Sequence, residues 1–319
     1  MSRIHIIHEN AEWTAPLLGE LDAVGAPYRE WHLASGAIEL SGTPLPGIYY
    51  SRMSASSHTR GHRYAPELTG CFLDWLHSCG AWVVNPRAAL NLEISKVAQY
   101  AALSRHGITT PRTVAAAGKD ALVSAAKTLS GAFITKHNRG GKGLGVRLFE
   151  DVAALEALVR SGEYELSVDG VTLVQEYIQA PTPHITRVEF IGRRLLYAVR
   201  VDTSEGFELC PAQSCAPEDA FCPAGQGATG AKFEVLENFH HPLVAKYQRF
   251  MSAEQVDVAA FEFIVDAAGR PYTYDINTNT NYNPGAEARA GVSGMRVLAE
   301  FLVSELARWR HSSSRSHAA

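Results

Sequence analysis

Apolar and polar positions along the chain follow two rhythms, one that mixes helical and extended periods and one that is almost wholly extended. In the first, the short apolar runs "RIHIIH", "YREWHL", "GIYYSR" and "AWVVNP" read as strands. Between them Trp13, Leu17, Leu18 and Leu21 recur at the spacing of one helix face until Gly25 stops the run, and a second helix is expected near Tyr64–Ser78. Strands alternating with helices predict a small parallel α/β unit over residues 1–86. After the first strand comes "HENAEW", with no glycine fingerprint, which argues against a dinucleotide site there.

Asn85-Pro86 marks a boundary. The next unit, 87–172, opens on the helix "ISKVAQYAALSRHG" with Gly107 as its cap. It continues through the helix "DALVSAAKTL" and the strands "AFITK" and "VRLF". It ends in "VAALEALVR", capped by Asp151 and apolar at Val152, Leu155, Leu158 and Val159. From Val171 the rhythm turns extended: "VTLVQEYI", "ITRVEFIG", "RLLYAVRV", "VAAFEFIVD" and "PYTYDIN", with helices near His241–Met251 and Met295–Arg308. This third unit spans 173–309, and the polar tail over 310–319 reads as disordered. The fold class is mixed α/β (α+β), without internal repeats.

Composition narrows the function more than the fold. A chain of 319 residues suffices for two or three packed units. Its 46% hydrophobic and 19% charged content is that of ordinary soluble proteins. A net charge of −4 lacks the basic surplus of a nucleic-acid binder. The N-terminal apolar stretch is too short for a signal peptide, and no run approaches the roughly 18 apolar residues of a membrane span. Five cysteines, odd and sparse, argue against a disulfide framework and for a reducing, cytoplasmic setting. The expected partners are small molecules, not nucleic acid or membrane.

Two stretches carry candidate chemistry. "GAFITKHNRGGKGLGVRLFED", from Gly131 to Asp151, is a glycine-rich hairpin bearing Lys136, Arg139 and Lys142. It fails the P-loop spacing, since Gly141-Lys142 is followed by Gly143. Its glycines can still expose backbone N–H groups to phosphate oxygens, and the same residues would serve equally as a solvated hairpin. In "FEFIVDAAGRPYTYDINTN" a two-residue tip at Ala268-Gly269 places Glu262 opposite Asp275 and Ala260 opposite Asn277, so Glu262, Asp275 and Asn277 share a face. Carboxylates set opposite one another repel, and a divalent cation between them removes that cost. Phe261, Phe263, Tyr272 and Tyr274 are expected on the other, core face. A tip at Gly192-Arg193 likewise puts Arg187, Glu189 and Arg200 on one face, as an ion network or as a clamp for a phosphoryl or carboxylate group.

Taken in order, a lysine opening a helix, a lysine before a glycine hairpin, a strand ending "VQEYI", an arginine-bearing hairpin and "E…D-I-N" resemble the ATP-grasp superfamily, nearest its glutathione-synthetase and glutamate-ligase (RimK-type) branch, over about Ile94 to Leu306. The 1–86 unit resembles the Rossmann-like domain that precedes an ATP-grasp fold of two subdomains, here 87–172 and 173–309. The resemblance implies ATP and Mg²⁺, one ion or two, with Mn²⁺ as an alternative metal. Lys96 and Lys136 match phosphate-contacting lysines, and Gly140, Gly141, Lys142, Gly143 and Gly145 match the lid. Gln175, Glu176, Tyr177 and Ile178 match the adenine hinge, and Glu262, Asp275 and Asn277 match the metal ligands. Arg200 and Arg187 match arginines that face the transferring phosphate.

It implies a carboxylate–amine ligase acting through an acyl phosphate on an amino acid or peptide-like acid, with a homodimer compatible. The alternative is a non-catalytic nucleotide-binding protein with a regulatory or scaffolding role. Its only support is that "QAPTPHITR" lacks the family's acidic residue for the ribose, and the retained lysines and metal trio oppose it; as a separate departure, Asp275 stands where glutamate is commoner. "YYSRMSASSHTRGHRY", with Arg52, Ser54, His58, Arg60 and Arg63, reads as an acid-binding loop or a surface loop. The asparagines of "NTNTNYNPG" are placed to line the site or to form a polar turn. Cys71 and Cys79 are expected in the core. Cys210, Cys215 and Cys222 lack zinc-site spacing. Glu189 and Glu208 are candidates to accept an amine proton.

Overall fold

The computed structural model describes residues 2–141, 143, 145–204, 233–236 and 238–316, and these form three sheets. The first is built from β1 (Arg3–His8), α1 (Ala11–Ala23), β2 (Tyr28–His32), β3 (Gly47–Ser51), α2 (Ala65–Ser78) and β4 (Trp82–Val84), with strand order β2-β1-β3-β4. Its pairings are all parallel. β3 is buried throughout and β1 everywhere but Arg3, as parallel strands covered on both faces must be. Asn10 starts α1 by accepting the Trp13 amide at 3.0 Å.

Next come α3 (Arg87–Ile94), α4 (Lys96–Arg105), β5 (Thr113–Ala117), α5 (Lys119–Ala126), β6 (Phe133–His137), β7 (Arg147–Phe149), α6 (Val152–Ser161) and β8 (Val171–Glu176). Their four strands form an antiparallel sheet ordered β5-β8-β6-β7. Asp151 caps α6 as its sequence predicts, accepting the Ala154 amide at 2.9 Å. Ser95 does the same for α4, which points Lys96 from the first turn toward the third sheet.

That third sheet holds β9 (His184–Ile191), β10 (Arg194–Asp202), β11 (Phe233–Leu236), β12 (Val258–Val265) and β13 (Pro271–Asn277), antiparallel in the order β11-β10-β9-β12-β13. α7 (Pro242–Ala253) precedes β12, and α8 (Pro284–Ala290) and α9 (Gly294–Ser316) end the described chain. One face of the sheet packs Ile185, Val199, Val201 and Val258 against Ile4, Ile6, Leu17, Tyr50 and Leu302. The other packs Val188, Phe190, Phe261 and Ile276 against Ala89, Leu103, Tyr247 and Phe250. Both faces being covered, any polar group along these strands is desolvated unless it borders a cavity.

Two irregularities correct the predicted registers. The β12–β13 turn is a three-residue loop, closed by Asp266 and Arg270, with Gly269 at φ 77°. This offsets the predicted pairing by one, and Tyr274 then bulges out of β13 and restores it. Glu262 therefore does lie opposite Asp275, and Ala260 opposite Asn277. Tyr274, however, leaves its expected core face and donates its hydroxyl to Glu262 at 3.0 Å. The β9–β10 turn has Gly192 and Arg193 both at positive φ, the two-residue tip expected there. A bulge at Leu196 has no compensating offset, so Arg200 pairs with Thr186 and stands on the opposite face from Arg187.

Other expectations fail for local reasons. The Ser-rich end of the chain continues α9 to Ser316 instead of fraying from 310, with Ser314 bonding back to the Arg310 carbonyl and Arg310 bonding to Ser2. Cys71 and Cys79 are exposed, on the outer side and at the end of α2. β5 is alanine-rich and β11 only four residues long, so neither carries a strand rhythm.

Asn85 ties the first sheet's last strand to the third sheet. It is 1% exposed with φ 54°, donates to the carbonyls of Val258 and Thr278 at 2.8 and 2.9 Å, and accepts the amides of Asp257 and Val258 at 2.9 and 3.0 Å. Asn85→Ala would strand these four backbone groups and put alanine in a left-handed conformation. It should cost about 3 kcal/mol or more of unfolding free energy by denaturant titration, since each unsatisfied buried group costs roughly 1–3 kcal/mol before relaxation.

Candidate active site

Where β12 and β13 meet the first two units, a cavity of about 590 Å³ is lined from all three sheets' surroundings. Trp13, Ser54, Ala55 and Ser56 come from the first unit; Lys96, Ile134, Lys136 and the glycine hairpin come from the second; Arg187, Glu262, Asp275 and Asn277 come from the third. That volume suits a drug-sized or nucleotide-sized ligand.

Cross-strand pairing sets its polar wall. One row of the sheet runs Arg187, Glu262, Asp275; the next runs Glu189, Ala260, Asn277. Arg187 Nε donates to Glu189 at 2.6 Å and its Nη1 to Glu262 Oε1 at 2.8 Å. Burial works against the Arg187 charge, but the two carboxylates outweigh it and raise its pKa. Asp275 takes Lys96 Nζ at 2.5 Å. Asn277 donates its amide N–H to Glu262 at 3.4 Å, which leaves its carbonyl oxygen out of that bond. Among the described residues no three His, Cys, Asp or Glu side chains cluster as a metal site. The donor set that remains is two carboxylates and one amide oxygen, all hard, and it fits Mg²⁺ completed by water and phosphate oxygens.

Lys136 is strongly perturbed. It is 4% exposed and donates to the Tyr100 hydroxyl at 2.5 Å and to the Tyr274 carbonyl at 3.2 Å. Burial, helped by the Lys96 charge and opposed by Asp275 and Glu262, pushes its pKa down to about 7. A lysine so placed is short of an anion. Tyr100 passes the chain of bonds on to Gln175 Oε1 at 2.6 Å, which engages the acceptor end of that side chain.

Gly140, Gly141 and Gly143 line the cavity above this wall, while Lys142 lies outside the described residues. The hairpin reaches the first unit: a Cβ on Gly141 would stand 3.7 Å from the Ser56 Cβ, and Arg139 pairs with Glu67 of α2 at 2.7 Å. At the far end Gln175, Glu176, Tyr177 and Ile178 line the cavity with Pro111, Ile134, Ile185 and Ile264, an apolar slot suited to a flat ring. The amides of Glu176 and Tyr177 are taken by the carbonyls of Arg112 and Ala132.

The structure does not bring Arg200 here. Reversed by the Leu196 bulge, it is half exposed and pairs with Glu234 at 3.2 Å. Glu208, Cys210, Cys215 and Cys222 lie outside the described residues. Of the arginine loop, Ser54 and Ser56 reach the cavity, Arg60 pairs with Glu9, and Arg52 is buried against Asn281 at 2.9 Å. Asn279 and Asn281 line the cavity as well. Three contributors escaped the sequence reading. Tyr100 was legible, one helical turn beyond Lys96. Tyr274 depends on the bulge. Glu93, which binds the amides of Ala55, Thr278 and Asn279 and so ties two walls together, carries no sequence signal.

No family model matches the chain. A probable alpha-L-glutamate ligase 1 of Pseudoalteromonas atlantica is 25% identical over 215 residues, 61% of this chain and 70% of that protein. A probable alpha-L-glutamate ligase of Vibrio atlanticus is 28% identical over 128 residues, so the match spans 40% of this chain and only 42% of that protein. Among solved structures, a RimK domain ATP-grasp protein from Sphaerobacter thermophilus superposes with TM-score 0.64 at 20% identity, covering 94% of this chain and 99% of its own. The ATP-grasp ligase PsnB, solved with its minimal precursor, gives 0.66 at 18% identity and covers 96% and 100%. The chain has the ATP-grasp fold. PsnB has also been solved with Mg and ADP. Among the described residues no helix is long and apolar enough to cross a membrane.

In this chain of ATP-grasp fold the hairpin's glycines are not interchangeable. Gly145 has φ 73°, and a Cβ there would fall 2.5 Å from the His137 ring, which is itself buried. Gly145→Ala should lose about 1–2 kcal/mol to the left-handed backbone alone and should displace the hairpin. A lower unfolding midpoint together with weaker nucleotide uptake by calorimetry is the expected outcome; Gly131→Ala, with nothing near its Cβ, should lose stability without loss of uptake.

Proposed function

We propose that the protein is an ATP-dependent ligase that joins a carboxylate to an amine through an acyl phosphate, releasing ADP and phosphate. The observation that carries this reading is the convergence of Lys96, Lys136 and Arg187 with Glu262 and Asp275 on one cavity beneath a glycine hairpin. Three cations beside two carboxylates match a triphosphate that arrives with a divalent metal. The relatives named as glutamate ligases and the ligases that share the fold favour the same chemistry.

The adenine would lie in the apolar slot, read by Ile178, since the two amides before it are occupied. Lys136 and Lys96 would hold the phosphates, and Glu262, Asp275 and Asn277 would hold one or two Mg²⁺, or Mn²⁺. Bound metal would supply charge neutralisation at the β- and γ-phosphates. A substrate carboxylate oxygen attacks the γ-phosphorus, and the bond to the bridging oxygen breaks as ADP leaves. Arg187, anchored by Glu189, faces the charge that develops there. The amine nitrogen then attacks the acyl carbon, phosphate departs with the C–O bonding pair, and nitrogen gives up a proton. The hairpin, latched to the first unit by Arg139 and Glu67, would keep water from the acyl phosphate.

Two measurements test this. With ATP, magnesium and a panel of carboxylates, hydroxylamine should trap a hydroxamate and ADP should accumulate; ADP binding without any hydroxamate would favour the non-catalytic alternative. Second, the nucleotide-free Lys136 is largely neutral above pH 7 because its pKa lies near 7. A triphosphate beside it favours the charged form, so binding at pH 8 should take up a proton. The uptake should vanish below about pH 6, where the lysine is already charged. Calorimetry in buffers of different ionisation enthalpy should find it in the wild type and lose it in Lys136→Met.

A further inference from the structure

Glu93 stands one residue before the end of α3, where the helix dipole disfavours an acid. It lines the main cavity, where Ser54, Ala55 and Ser56 of the first unit meet the end of β13. Its two oxygens are used unequally. Oε2 takes the Thr278 amide at 2.7 Å, and the Asn279 amide and the Thr278 hydroxyl at 3.2 Å each. Oε1 takes only the Ala55 amide, at 3.3 Å. A carboxylate oxygen accepts about two bonds, so Oε2 is saturated and Oε1 keeps an acceptor position. Among the described residues none of the hydrogen-bond partners of Glu93 is a cation. Glu262 and Asp275, on the same cavity, each hold one.

Burial raises the pKa of Glu93 against the pull of the Thr278, Ala55 and Asn279 amides, and the Asp275 charge adds to the rise. Two connections hold the residue close to the reacting groups. Thr278 directly follows Asn277, one of the three candidate magnesium ligands. Ala55 directly precedes Ser56, whose Cβ would stand 3.7 Å from a Cβ on Gly141, so the glycine hairpin comes down on the wall that Glu93 supports. Glu189, which the sequence nominates to accept a proton, is 2% exposed, is bonded to Arg187 and lies outside the cavity lining.

We propose that Glu93 is the catalytic base of the amide-forming step, its Oε1 taking a proton from the incoming ammonium group. The assignment rests on the ligase reading. A primary alkylamine enters at pH 7 as its ammonium, which has no lone pair with which to attack. Once Glu93 Oε1 holds one proton, the nitrogen lone pair forms the C–N bond to the acyl carbon, and the C–O bond to phosphate breaks with its electron pair. The second proton that nitrogen loses leaves with the phosphate, and Glu93 returns its own to water.

Hydroxylamine separates this role from a structural one, because it is already neutral at pH 7 and needs no such transfer. With ATP, magnesium and each carboxylate that yields a hydroxamate, mass spectrometry measures product from hydroxylamine and, separately, from ammonium chloride, ethanolamine and the common L-amino acids. Glu93→Gln keeps an oxygen for the Thr278 and Asn279 amides and removes the base. It should lower amide formation at least ~100-fold more than hydroxamate formation, the lower end of general-base catalysis. Loss of a purely structural contact would lower the two alike. Circular dichroism and the unfolding midpoint check that the variant is folded; if it is not, Glu93→Asp, which withdraws the carboxylate by one carbon, should show the same split. If a folded variant lowers both products alike or neither, or if the wild type yields hydroxamate but no amide with any of these amines, the assignment is overturned. Absence of hydroxamate from the wild type with every carboxylate is the separate failure of the ligase reading, and the assignment falls with it.

Discussion

Glu262 and Asp275 face each other across one rung of an antiparallel ladder, in a sheet buried on both sides, and the site is organised around that rung. Like charges at such separation destabilise a sheet even at a wet surface. Here each acid is compensated by a cation from a different place: Arg187 on the neighbouring strand holds Glu262, and Lys96 on α4 holds Asp275. Buried ion pairs return about what their desolvation costs, so stability alone does not explain why such a set is kept. What the arrangement does provide is conditional: Asp275 is paired only while the second unit is docked on the third, because Lys96 reaches it from across that junction, whereas Glu262 is held within its own sheet.

Lys136 extends the same logic to an unsatisfied state. It sits between Tyr100 and Tyr274, bonded to a hydroxyl and a carbonyl but to no carboxylate, and burial depresses its pKa. An ion-paired structural lysine would be shifted the other way. The direction of the shift therefore separates a buried amine without an adjacent counter-ion from one held in an ion pair. Asn85 illustrates the second kind, its amide fully engaged by four backbone groups.

Sequence patterning captured the strand-and-helix alternation of the first unit and the pairing of Glu262 with Asp275, but the second success has an instructive cause. A three-residue turn and the Tyr274 bulge each moved the register by one, and they cancelled. On the β9–β10 hairpin the turn was read correctly and the single Leu196 bulge went undetected, so Arg200 landed on the wrong face. Period-two reasoning carries no information about bulges, and one undetected bulge inverts every assignment beyond it. Glu93 was invisible for another reason: its partners are backbone amides contributed by segments remote in sequence.

The same limit explains why the wall of the cavity that carries lysines and acids was readable and the rest of its surroundings was not. Lysines beside glycines, and acids paired across a hairpin, keep their chemistry within a short stretch of chain. Tyr50 on β3, Glu189 on β9 and Asn279 in the loop after β13 each hold a buried polar atom without a hydrogen-bond partner, and each is ordinary where it stands in the sequence. Their common property, a polar atom buried without a partner, exists only once the first unit has closed over the third sheet. Similarity below 25% identity to solved structures establishes the fold alone.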